Sequence, residues 1–181
     1  MNEANPWLRP RLVPVGNDSD TATGHGDISA LVECEVPAPT RPESHAAPLL
    51  LVGAHGGAGV TTLSRLSGVP ESQDWPGFTC RVVVVARTHW FGCEQVGQIA
   101  RSWISDPCEV QLAAVVWVAD AAREPKALYA RREFVSAAFP VSLVVPWVER
   151  WRITPAWSLP APRAVIRVLK ALEQMNSTVK G

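Results

Sequence analysis

The sequence predicts an α/β fold in three layers, a mainly parallel sheet between helices on both faces. Three observations carry this. Four short apolar runs, Leu49–Gly53, Arg81–Ala86, Leu112–Val118 and Val141–Val145, lack polar alternation, as strands buried on both faces do. A helix-compatible segment follows each of them. The resulting order β-α-β-α-β-α-β-α calls for parallel strands joined by right-handed crossovers, with helices covering the sheet on either side.

Leu49–Gly53 is an apolar run closed by glycine. A helix is expected from Thr61 to Leu66, ending near Gly68-Val69-Pro70 because proline cannot continue it. Glu71 to Phe78 reads as a loop. Arg81–Ala86 contains four consecutive valines and is the strongest strand signal in the chain. Phe91 to Ile104 fits a helix, with Val96, Ile99, Trp103 and Ile104 near one face. Leu112–Val118 is the third strand, and Pro125 to Ala138 is a helix bearing an exposed basic pair, Arg131-Arg132. Val141–Val145 is stopped by Pro146. A tryptophan-rich connection spans Trp147 to Pro160. The last helix, Pro162 to Gln174, has proline in its first turn and Val165, Val168, Leu169 and Leu172 on one side.

Residues 1–47 read as a disordered N-terminal tail, rich in Pro, Asp, Glu, Gly, Thr and Ser. Such a segment buries too little apolar surface to offset its ordering entropy. It is either a flexible extension or a docking arm anchored by Trp7-Leu8. The domain is expected over 48–175, with a flexible tail at 176–181. Seventeen basic and seventeen acidic residues leave no net charge, so nucleic acid is not expected as the main partner. No apolar run reaches the ~18 residues of a spanning helix, and Met1–Pro14 has no apolar signal core. A cytoplasmic protein without membrane insertion is expected. Cys34, Cys80, Cys93 and Cys108 show no C-x-x-C spacing and are expected as reduced structural thiols.

The chemistry concentrates after the first strand. Leu49 to Leu63 reads as a buried strand, a glycine-rich turn and the first turn of a helix. Measured against the phosphate-loop pattern G-x-x-x-x-G-K-[ST], counting from Ala54, the window ends Gly59-Val60-Thr61, with Val60 in the lysine slot and Thr61 in the hydroxyl slot. Gly56, Gly57 and Gly59 allow backbone angles closed to other residues and let amides approach an anion. With His55 and Ala58 they form a loop whose amides, from Gly57 to Thr62, can point inward at the positive end of a helix. Thr61 would offer its hydroxyl to magnesium, and Thr62 would lie near an α-phosphate. The alternative is a tight structural turn in which Thr61 only caps the helix.

Ala54-His-Gly-Gly-Ala-Gly-Val-Thr-Thr62 resembles the deviant Walker A loop, K-G-G-x-G-K-[ST]-T, of the ParA/MinD family of partition and positioning ATPases. His55 stands at that family's signature lysine and Val60 at its ordinary lysine, so both ammonium groups are lost. The loop is also similar to imperfect loops of localisation factors in Flp-type pilus systems. Over roughly 48–152 the chain resembles small actinobacterial proteins with a GGAG-x-TT loop, whose function is not established. The resemblance implies a shortened P-loop NTPase-like fold lacking the segment that carries the hydrolytic aspartates. It implies ATP or another purine nucleotide with magnesium as cofactor, or none once the lysines are gone.

Two further strand ends reach the same rim. Arg87 is either a phosphate-binding cation or a surface arginine paired with a carboxylate. Asp120 is either a contact to a purine edge or a cap for the next turn; the resemblance places it too late in the chain for a magnesium-holding aspartate. Trp147, Trp151 and Trp157, among arginines, form either an interaction patch for a protein partner or a cover for the sheet edge. Together these features lead to three expectations: a non-hydrolytic or weakly hydrolytic nucleotide-binding adaptor in a bacterial assembly, a slow ATPase completed by Arg87 or a partner, or a ligand-free scaffold. A homodimer is among the expected partners.

Overall fold

The computed structural model describes residues 47–105 and 109–177. Most of the expected N-terminal tail, Cys34, Cys108 and residues 178–181 lie outside them. Five strands form: β1 (Leu49–Gly53), β2 (Glu71–Ser72), β3 (Cys80–Arg87), β4 (Val110–Val118) and β5 (Ser142–Val145). They pair in the order β2-β1-β3-β4-β5, every pair parallel. Four helices, α1 (Val60–Ser67), α2 (Trp90–Ser105), α3 (Lys126–Ser136) and α4 (Arg163–Ser177), cover the sheet.

Side chains alternate across a strand, so each strand feeds two cores. Val83 and Val85 of β3 join Leu63 of α1 and Val165, Val168 and Leu172 of α4. Val82, Val84 and Ala86 join Cys93 and Val96 of α2, with Val135 of α3 at the margin. This is the three-layer α/β architecture that the valine runs predict. Trp117 of β4 is fully buried on the second face, and its indole Nε1 donates to Ser136 Oγ at 2.9 Å. The buried Arg81 at the start of β3 donates through Nε to the Ala47 carbonyl and through Nη2 to the Met175 carbonyl, fastening the end of α4.

Three readings of the sequence need correction. The stretch Glu71 to Phe78 is not all loop, since Glu71 and Ser72 pair with Leu51 and Val52 on the free edge of β1. Ile104 is exposed; the inner face of α2 is Cys93, Val96 and Ala100, with Ile99 and Trp103 partly covered. Arg131-Arg132 is not an exposed basic pair. Arg132 is buried, held by Glu124 and Glu133, while Arg131 pairs with Glu94 and stacks over Trp90 at 3.8 Å. The carboxylates that let both arginines be covered come from the preceding turn, a neighbour in α3 and the adjacent helix α2. Among the described residues no helix is long and apolar enough to cross a membrane.

Candidate functional site

The chain leaves β1 for the outer strand β2, then returns past β1 to β3 and continues to β5. Strand order therefore reverses between β1 and β3, and ligands of open α/β sheets sit at the carboxyl ends of the strands at such a reversal. The glycine loop follows β1 there, and Arg87-Thr88-His89 follows β3. Gly57 and Gly59 adopt φ of 75° and 100°, and Gly59 turns the chain directly into α1 with no side-chain cap. A residue with a Cβ is strained in that left-handed region, which is why the turn needs glycine.

Hydrogen bonds to the backbone engage the amides of Ala54, Ala58 and Leu63, through Val85, His55 and Gly59 carbonyls respectively. Among the described residues no protein acceptor engages the amides of Gly56, Gly57, Gly59, Val60, Thr61 and Thr62. Gly56, Gly57 and Thr61 are exposed. The turn is thus open, with its donors unspent at the positive end of α1.

The side chains around it are not those of a cationic loop. Val60 turns inward, its Cγ2 3.0 Å from where a Cβ on Gly53 would lie, and packs against the first core. His55 Nδ1 lies 2.9 Å from the Gly56 carbonyl, and its Nε2 accepts the Arg87 backbone N–H at 3.2 Å. That pair of bonds fits a neutral imidazole protonated at Nδ1. Burial lowers the pKa of His55, and the nearby His89 and Arg87 push the same way against the Gly56 bond.

Arg87 is paired with a carboxylate, the second of the two readings given for it, and its guanidinium also reaches the loop. Its Nε donates to the Gly57 carbonyl at 2.9 Å and its Nη1 to Asp120 Oδ1 at 2.9 Å. Asp120 accepts that bond through one oxygen of an exposed carboxylate, and its own amide donates to Thr88 Oγ1. Thr61 does not cap α1. Its Oγ1 donates to Glu71 Oε2 at 2.8 Å, placing a carboxylate of the short edge strand beside the loop hydroxyl.

The three tryptophans of the connection are used differently. Trp147 donates to Glu149 Oε2. Trp151 is half-buried and packs against the first core. Trp157 is 48% exposed, with the Arg65 guanidinium 4.4 Å from its ring centre. Trp151 and Trp157 line a cavity of about 270 Å³ that Gly59, Thr62 and Arg87 also border.

Two features of the candidate site escaped the sequence. Glu71 sits in a polar stretch with no periodicity, and only β-pairing brings it to Thr61. The Pro155–Trp157 turn reaches the loop across the sheet rim, a contact for which nothing in the local sequence gives a signal. The pattern of a family of unknown function, DUF6668, matches residues 47–169, and the chain belongs to that family. No curated protein and no solved structure matches the chain.

Proposed function

We propose that this chain is a nucleotide-binding adaptor, a pseudo-ATPase that holds nucleotide at residues 55–62 with little or no hydrolysis. The observation that carries the reading is the set of open, unengaged amides at Gly56, Gly57 and Gly59 to Thr62. Backbone N–H groups and a helix N-terminus bind phosphate without an ammonium group, though more weakly than with one.

Turnover needs more than binding. Phosphoryl transfer depends on cations placed at charge that develops in the transition state. Here Val60 is apolar, His55 is neutral and Arg87 is paired with Asp120. Magnesium suits the oxygen donors present: Thr61 Oγ1 and the Glu71 carboxylate would hold it, and it would neutralise phosphate charge. ATP or another purine nucleotide is the ligand class. Bound nucleotide would favour one conformation, or a face-to-face homodimer, over its alternative.

The likeness of the loop to the ParA/MinD family supports a cytoplasmic role in a conjugation, secretion, pilus-positioning or plasmid-maintenance assembly, with protein partners. A slow ATPase is the second reading, favoured by Arg87, whose guanidinium already touches the loop at Gly57. Calorimetry with Mg-ATP, Mg-GTP and their diphosphates, alongside a phosphate-release assay, tests both. Binding without release supports the adaptor. Release abolished by Thr61→Ala supports the slow enzyme. No binding overturns both and leaves a scaffold.

A further inference from the structure

We infer that the cavity beside the loop is a subsite for the planar ring of the ligand, gripped by indole stacking and indifferent to the ring's hydrogen-bonding edge. The inference rests on the proposed nucleotide reading and adds the means of base recognition to it.

Gly59 and Thr62 belong both to the open amide turn and to the wall of the cavity. An anion on the turn and a group in the cavity would therefore be parts of one molecule. At about 270 Å³ the cavity lies just below the range of roughly 300–1,000 Å³ usual for drug-sized ligands. It suits a ring system, with phosphates left outside on the amides.

The walls say how the ring would be held. Trp151 and Trp157 supply aromatic surface, and Val118, Val145 and Ala156 supply apolar contact. Trp151 is braced by the core, and Trp157 by the Arg65 guanidinium against its ring. Among the described residues no Asp, Glu, Asn or Gln side chain lines the cavity. The one charged side chain in the wall, Arg87, is already committed to Gly57 and Asp120. Discrimination between bases needs polar groups aimed at ring edges. Apart from Arg87, the polar side-chain groups of this wall are the Thr62 hydroxyl and the two indole N–H groups, with no side-chain amide or carboxylate to read a base edge, and stacking accepts every base. The site therefore takes adenine and guanine nucleotides alike.

Calorimetry on the full chain with Mg-ADP, Mg-GDP and Mg-pyrophosphate tests this, using wild type, Trp157→Ala and Trp157→Phe. Expected are ADP and GDP affinities within about threefold of each other, both at least tenfold tighter than pyrophosphate. Trp157→Ala should lose about tenfold for both nucleotides, Trp157→Phe should recover most of it, and pyrophosphate should bind all three proteins equally. That last equality also verifies that the variants are folded.

A preference above about thirtyfold for one base, nucleotides no tighter than pyrophosphate, or an unchanged Trp157→Ala would overturn the subsite while leaving the loop reading intact. So would loss of pyrophosphate binding in both tryptophan variants, because Trp157 would then be supporting the turn rather than a ring. If wild type binds neither pyrophosphate nor nucleotide, the loop reading fails and the subsite with it.

Discussion

Gly92 offers a stability test that reaches the candidate site through the backbone. It lies in the first turn of α2, where a Cβ would stand 2.1 Å from the Arg87 carbonyl oxygen and 3.1 Å from its carbonyl carbon. Both are main-chain atoms at the end of β3, so no rotamer change relieves the clash. The strand end and the helix start would have to part by roughly an ångström, overpacking of a kind that costs about 1–3 kcal/mol and occasionally more. For a domain of this size, 2 kcal/mol corresponds to a fall in melting temperature of about 6–10 °C. The control is Gly97→Ala, one and a half turns along the same helix. Its added Cβ would meet only the tip of Arg101 at 3.4 Å and Val135 at 3.8 Å. Removing a mid-helix glycine there should stabilise by up to about 1 kcal/mol. Thermal melts of wild type and both variants by circular dichroism decide the matter. If Gly92→Ala melts within about a degree of wild type, or Gly97→Ala loses as much, the close approach does not hold the rim together. Because Arg87 also carries the bond to Gly57, Gly92→Ala should weaken pyrophosphate binding as well.

Three further outcomes are expected. His55 is held neutral, its folded pKa lowered below 6.5 by burial, so its contribution to stability is intact above that pH; below it the unfolded chain takes up the proton first and stability falls. Melting temperature should therefore drop more steeply from pH 7 to pH 5.5 in wild type than in His55→Gln, and parallel profiles would refute the assignment. Asp120→Asn should strengthen pyrophosphate binding several-fold in calorimetry by releasing Arg87, yet change stability by less than about 1 kcal/mol, as a half-exposed pair allows; unchanged or weaker binding would count against an anion at the loop. Arg132→Ala should destabilise by about 3 kcal/mol in chemical denaturation, since it strands the largely covered Glu124, whereas Arg131→Ala should lose less than half of that.

The sheet was legible because its information is local. A run such as Val82 to Val85 suits a strand covered on both faces and little else, and the glycines of residues 56–59 announce a tight turn whatever surrounds them. What could not be read depends on contacts between distant segments. Glu71-Ser72 is a strand only because β1 has an open edge beside it. Arg132 is covered only because Glu124 folds back onto it. The roles of Arg87 and Asp120 stayed open as alternatives because either residue alone is ambiguous, and the parallel pairing of β3 with β4 brings them together. Trp157 reads from the sequence as part of either an interaction patch or a cover for the sheet edge, and its place beside Thr62 follows from the path of the Trp147–Pro160 connection over the rim.

On the proposed reading, the Arg87–Asp120 pair would give the loop a way to report its occupancy without chemistry. One guanidinium spans the Gly57 carbonyl of the loop and the carboxylate that follows β4. Both partners are more than a third exposed, and an exposed ion pair is worth at most about 1 kcal/mol. A phosphate arriving on the neighbouring amides carries more charge than a carboxylate and offers more acceptor oxygens, so it competes for the same guanidinium on favourable terms. On the proposed reading, Arg87 would exchange Asp120 for phosphate. The freed carboxylate would belong to the exposed turn leading into α3, whose backbone is tied back by the bond from the Asp120 amide to Thr88 Oγ1. The absence of lysine from residues 54–62 would then have a structural corollary. A loop with its own ammonium groups would bind phosphate without drawing on Arg87, whereas this loop would have to recruit its cation from a contact with the next strand, and that exchange would couple binding to the surface a partner would meet.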